Sequence, residues 1–184
     1  EAGSDYVYTL SDATAGPDQT KLYVYADQLG AGDNLTFDGS AETTASIYLT
    51  AGAGVDTLTG GQANDHFVMH DHLTAADSVD GGAGYDWLYL IGDYSAGLTF
   101  GASTIKNMES LYFGAGYSYK ITLNDANVAA GQQLQIYGKD LAVTDSLNVN
   151  GAAETNGSFY FDSATSKNTL SGGALSDTFY IHKR

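Results

Sequence analysis

The stretch Ala51-Gly52-Ala53-Gly54-Val55-Asp56-Thr57-Leu58-Thr59 runs directly into Gly60-Gly61-Gln62-Ala63-Asn64-Asp65-His66-Phe67-Val68. Each nonapeptide opens on small residues, carries an acid at its sixth position and an apolar residue at its eighth. The pattern returns in full at Gly81-Gly82-Ala83-Gly84-Tyr85-Asp86-Trp87-Leu88-Tyr89. It returns eroded at Gly172-Gly173-Ala174-Leu175-Ser176-Asp177-Thr178-Phe179-Tyr180. Glycines permit a tight, partly positive-φ turn that directs carbonyl oxygens inward, and the Asp adds a carboxylate. The apolar eighth residue then enters the core as a strand begins.

Outward from this stretch the chain repeats itself. A shift of 112 residues lays Leu22-Tyr23-Val24-Tyr25 on Leu134-Gln135-Ile136-Tyr137, and Thr57-Leu58-Thr59-Gly60-Gly61 on Thr169-Leu170-Ser171-Gly172-Gly173. It also lays Gly39-Ser40-Ala41-Glu42-Thr43 on Gly151-Ala152-Ala153-Glu154-Thr155, and Asp65, Phe67 and His70 on Asp177, Phe179 and His182. One residue of slippage extends the match upstream, bringing Ala2-Gly3, Tyr6 and residues 9–13 onto Ala115-Gly116, Tyr119 and residues 122–126. Residues 1–70 and 115–184 read as two copies, joined by residues 71–114 in one continuous array. Starting and stopping inside a unit suggests a window of a longer protein.

Positions apolar in both copies come in pairs two residues apart, such as Leu35 and Phe37 with Leu147 and Val149, or Ile47 and Leu49 with Phe159 and Phe161. That is strand period with one buried face. The pairs recur about every 9 to 13 residues, a spacing that suits an antiparallel sandwich or a parallel solenoid. Hairpin signals are sparse, with Asn-Gly at 150–151 and 156–157, and the connectors are Gly-x-Gly-x-Asp. The spacing therefore predicts an all-β, right-handed parallel β-solenoid.

Twenty-two acids against 7 Lys and Arg leave a net charge of −15. That excludes nucleic acid as a partner, because phosphates need a basic surface. It also calls for bound cations to relieve repulsion. There is no Cys, so no disulfide framework and no thiolate metal ligand. No apolar run approaches 18 residues, so membrane insertion is not expected, and Glu1-Ala2-Gly3-Ser4 begins nothing like a secretory signal.

The three motifs in about 40 residues, two of them in strict nonapeptide register, resemble the repeats-in-toxin (RTX) family, whose G-G-x-G-x-D-x-U-x repeat forms a calcium-binding β-roll or β-helix. The resemblance implies calcium as the cofactor, with Gly52, Gly54, Asp56, Gly61, Asn64, Asp65, Gly82, Gly84, Asp86 and Asp177 as candidate ligands. In that family two nonapeptides make one coil and the ion lies between stacked turns. The Asp65 turn should therefore stack near the Asp86 turn, with residues 69–80 between them. The partner of the Asp56 turn is either the Gly30-Ala31-Gly32-Asp33 segment or the acidic stretch Asp77 to Asp80. In the second copy, residues 163–168 replace that turn, and Asn168 stands in the place of Asp56.

The resemblance further implies a non-enzymatic segment of a bacterial surface-layer or adhesin-like protein, exported in one step and folding on calcium outside the cell. Self-association or flanking repeats would supply its partners. The alternatives are the calcium-dependent secretion and folding region of a secreted enzyme, and a glycan-binding module using the outward Tyr25, Tyr48, Tyr137 and Tyr160.

Two further constellations come from the residues alone. His66, His70 and His72 fall at even positions, which on one strand shares a face, either as a zinc or nickel site or as a plain strand edge. The duplicated acids Asp12, Asp33, Glu42 and Asp65, matching Asp125, Asp145, Glu154 and Asp177, read as turn caps or ion ligands rather than an acid/base pair. No Ser-His-Asp ordering stands out.

Overall fold

The computed structural model describes residues 3–12, 20–164 and 167–182. All its sheets are parallel. The first runs β1 (Asp5–Thr9), β3 (Asn34–Asp38), β5 (Thr57–Thr59), β7 (Ser78–Asp80) and β10 (Ile105–Lys106). The second holds eight strands in order: β2 (Lys21–Tyr25), β4 (Ser46–Thr50), β6 (His66–Met69), β8 (Trp87–Leu90), β11 (Ser110–Phe113), β13 (Gln133–Gly138), β15 (Ser158–Ser163) and β17 (Thr178–Ile181). The third contains β9 (Tyr94–Thr99), β12 (Tyr119–Thr122), β14 (Leu147–Asn150) and β16 (Asn168–Ser171). A single 3₁₀ turn, Asp125–Asn127, is the helical element among the described residues, and none of their helices is long and apolar enough to cross a membrane.

Strands consecutive in sequence lie in different sheets, and each pairs in parallel with strands from the neighbouring passes of the chain. Period-two alternation then buries one face of every central strand. Leu49 stands opposite Phe67, Phe67 opposite Leu88, and Met69 opposite Leu90. Each of these side chains is shielded from solvent, as are Leu35, Phe37, Leu58, Val79, Leu111, Ile136, Phe159 and Phe161. Full burial of an aliphatic or Phe side chain contributes about 1.5–3 kcal/mol. Like residues therefore stack on like down one core.

The internal repeat and the sheets are related in a way the spacing does not announce. β2, β4 and β6 share the second sheet with their counterparts β13, β15 and β17. In contrast, β1, β3 and β5 lie in the first sheet and their counterparts β12, β14 and β16 in the third. The change happens in residues 71–114, where β10 closes the first sheet on β7 and β9 opens the third by pairing with β12. Buried tyrosines secure the change. The Tyr94 hydroxyl donates to the His70 carbonyl and accepts the Leu73 N–H at 3.0 Å, and the Tyr119 hydroxyl reaches the carbonyls of Leu90 and Gly114 at 3.0 and 2.8 Å.

Readings that rest on Glu1, Ala2, Ala13, Lys183 and Arg184, and on residues 165–166 of the segment replacing the Asp56 turn, lie outside the described residues.

Candidate metal centre

The loops before each strand stack in the same order as the strands. Ala53 N–H donates to Leu29 O at 3.0 Å, Gln62 N–H to Glu42 O at 2.9 Å, Ala83 N–H to Gly61 O at 3.0 Å, and Ala174 N–H to Glu154 O at 2.8 Å. Along this stack the acids form two columns. In one, Asp65 Oδ1 accepts the Ile47 N–H, Asp86 Oδ1 the Asp65 N–H and Glu109 Oε2 the Asp86 N–H, each at 2.7 Å. In the other, Asp33 Oδ1 accepts the Ser4 N–H at 2.9 Å, Asp56 Oδ1 the Leu35 N–H at 2.9 Å and Asp77 Oδ1 the Asp56 N–H at 2.7 Å. Asp177 Oδ1 does the same for the Phe159 N–H at 2.7 Å. These acids sit two residues before an apolar position of the strand that follows. A carboxylate there satisfies an N–H that would otherwise be buried without a partner.

The Asp65 and Asp86 turns are neighbours, as the resemblance to the repeats-in-toxin family implies. The Asp56 turn lies between both of its candidate partners. Val55 N–H reaches back to Asn34 Oδ1 at 2.9 Å, and Asp56 N–H forward to Asp77.

Each motif Asp also has a role inside the fold, its Oδ1 accepting a neighbouring backbone N–H. Asp65 also gives Oδ2 to the Gly61 N–H at 2.6 Å, which engages both its oxygens. Asn64 Oδ1 accepts the Tyr85 N–H at 2.9 Å and so caps the next turn. Among the described residues no three His, Asp or Glu side chains gather as a metal would need. Of the candidate glycines only Gly82 and Gly84 have positive φ, 90° and 126°. Gly52, Gly54 and Gly61 serve close approach instead; a Cβ on Gly54 would overlap the Asp33 carbonyl.

Two motif oxygens remain for a cation. Asp56 Oδ2 and Asp86 Oδ2 are buried and have no hydrogen-bond partner. A Cβ on Gly81 would fall 2.5 Å from Asp86 Oδ2 and would collide with the Asn107 carbonyl, so the close approach of these groups requires glycine. All the donors are hard oxygens, which fits a calcium-type ion in donor chemistry. Burial pushes the Asp86 carboxyl up to about 8, against the pull of the Asp65 N–H and helped by the charges of Asp65, Glu109 and Asp80. Burial likewise raises Asp65 to about 6 and lifts Asp56 above the usual carboxylate range. Near neutral pH Asp86 is therefore protonated or matched by a cation.

Glu109 belongs to the column although no glycine turn precedes it; Asn107, at φ 48°, occupies the left-handed position there. Its signal in the sequence is spacing alone, with Leu111 two residues on, as Leu88 follows Asp86.

The histidines do not converge. His66 is sandwiched between Tyr48 and Trp87 at 4.2 and 4.4 Å, His72 Nδ1 lies 3.3 Å from Asp71, and His70 contributes only its carbonyl to Tyr94. The sandwich is part of an outward aromatic stack on the second sheet. It starts at Tyr23 and Tyr48, 5.2 Å apart, and continues beyond Trp87 through Tyr89, Tyr112 and Tyr137 at 5.3 and 5.2 Å. Tyr25 is exposed at its end, as its phase predicts.

Compared with protein-family models, with curated proteins and with solved structures, the chain matches none.

Proposed function

We propose that this chain is a right-handed parallel β-solenoid that serves as an extracellular, calcium-dependent structural segment of a bacterial surface protein. The observation that carries the reading is the pair of buried, unpartnered oxygens of Asp56 and Asp86 in glycine turns stacked between parallel strands. Parallel crossovers are right-handed in nearly all proteins, which gives the hand. A charge of −15 opposes compaction until cations collect in the turns, so calcium, abundant outside cells, couples folding to export. The same acid columns recur along the sheets, as suits a repeating scaffold. Apolar residues exposed on the outermost strands, Val7 on β1 and Phe179 and Ile181 on β17, suit contacts with further repeats or a second copy. The glycan reading draws less support, since the stacked tyrosines turn their ring faces to one another.

Circular dichroism and thermal melting in EDTA and in millimolar calcium test the proposal. Calcium raises the melting temperature, by about 2.7 kcal/mol of stability at 100 times the dissociation constant, and magnesium does so poorly. Identical melts under both conditions would overturn it. Asp86→Asn keeps the acceptor for the Asp65 N–H but removes the free oxygen, so it shrinks the calcium-induced rise more than Asp177→Asn does. Asp177 is only half-buried and its turn carries Leu175 in place of a glycine. Equal losses in calorimetric titration would show that motif completeness does not rank the sites.

A further inference from the structure

Outside the Gly-Asp turns, the duplicated loops Gly39–Thr43 and Gly151–Thr155 contain the same unusual feature twice. Glu42 is fully buried and Glu154 nearly so, and in each a single oxygen carries all the hydrogen bonds. Glu42 Oε1 accepts the N–H groups of Thr44 and Ala45, both at 3.0 Å, and the Thr44 hydroxyl at 3.1 Å. Glu154 Oε1 accepts the N–H groups of Asn156 and Gly157 at 2.9 and 2.6 Å. The other oxygen, Oε2, is buried and unpartnered in both copies. A second carboxylate stands beside each. Asp12 Oδ1 takes the N–H of Thr43, at 3.2 Å, and its hydroxyl, while Asp125 Oδ1 takes those of Thr155 at 2.7 and 2.8 Å.

Neither glutamate has an ion pair with Lys, Arg or His among the described residues. A buried carboxylate oxygen with neither a hydrogen bond nor a counter-charge is costly in both copies. Chance would not preserve that cost at both positions, because the surrounding residues differ: Ser40 and Thr44 in one copy, Ala152 and Asn156 in the other.

We infer that Glu42 with Asp12, and Glu154 with Asp125, form two equivalent sites for a hard divalent cation, calcium by donor type, independent of the Gly-Asp turns. Oxygen donors of this kind suit calcium, and ligand charge sets its affinity.

Calcium titration by calorimetry on the whole chain, compared with Glu42→Gln, Glu154→Gln and the double variant, tests this. Glutamine keeps the Oε1 acceptor and replaces the free oxygen by an amide. Each single variant loses one calcium and the double variant two, while Asp86→Asn leaves these two in place. An unchanged stoichiometry in the double variant overturns the inference and assigns the free oxygens to water. A wild-type chain that binds no calcium overturns both this inference and the proposed function, whereas loss in Asp86→Asn alone spares the latter. Should the double variant not fold, Asp12→Asn with Asp125→Asn, on side chains that are not buried, gives the answer: affinity at two sites falls roughly tenfold, and an unchanged isotherm overturns the inference.

Discussion

In EDTA the melting temperature of this chain is highest near pH 4 and falls as the pH is raised to 8, the reverse of the usual loss of stability on acidification. The sign follows from the buried turns. Asp86, raised to about 8, Asp65, raised to about 6, and Asp56, also raised, bind protons in the fold that the unfolded chain has released. Their contribution is complete below the unfolded carboxylate value near 4 and is lost as the pH climbs through the folded values. Glu42, Asp33 and Asp38 are shifted down, so they stabilise above about pH 4 and fail only in stronger acid. That places the maximum between the two sets. His66, whose proton affinity is lowered first by burial and then by Lys21, acts the other way below about pH 6.5, but as one group against four, since burial raises Glu109 too. Allowing for solvent screening, the fall from pH 5 to pH 8 is at least ~5 °C, since one kcal/mol moves the midpoint of a domain this size by about 2–4 °C. Asp86→Asn flattens the profile. Melts at constant ionic strength that rise steadily from pH 5 to 8 would show that these carboxylates are ionised in the metal-free fold.

Phe67→Ala destabilises the chain by about 3–5 kcal/mol, while Phe179→Ala, at the same position of the second copy, costs less than about 1 kcal/mol. Phe67 is completely buried, with Leu49 and Leu88 opposite it on either side, so its removal leaves a cavity that two fixed strands cannot close. Phe179 lies on the outermost strand of the same sheet, packs on Phe161 at 4.7 Å and is 47% exposed. Urea denaturation of both variants reads the difference. Equal losses would mean that the outer face of β17 is covered in solution.

The alternation of Leu, Val, Ile and Phe at period two was enough to place the strands, because burying one face of a strand imposes that period wherever the strand lies. The pairs Leu35 and Phe37, Ile47 and Leu49, Leu147 and Val149, and Phe159 and Phe161 all fall on strands, while Leu123, two residues after Ile121, lies just past β12. The change from first to third sheet left no such trace. β5 and β16 carry the same alternation in different sheets, and what separates them is the hydrogen bonding of Tyr94 and Tyr119 between passes of chain that are distant in sequence. At the turns the acids were legible and their role was not. The sixth-position Asp looks like a ligand when a turn is read alone. It becomes an acceptor for the Ile47, Asp65 or Leu35 N–H only when the neighbouring turn is placed beside it. The more general signal was an acid two residues before an apolar core position. It marks Asp33, Asp56, Asp65, Asp77, Asp86, Asp145 and Asp177, and it marks Glu109 too, which no glycine motif includes.

The aromatic stack also gives this chain its own optical reporter. Trp87 is the sole tryptophan, and it lies on β8, the fourth of eight strands, in contact with His66 at 4.4 Å and Tyr85 at 4.7 Å. Tyrosine excitation anywhere along the stack drains to it, so its emission measures how many neighbouring strands are still in place. Strands peeling from either end would dim the transferred light in steps while the directly excited indole stays constant. A simultaneous loss of both signals would instead mark disruption at Asp86, the residue beside it.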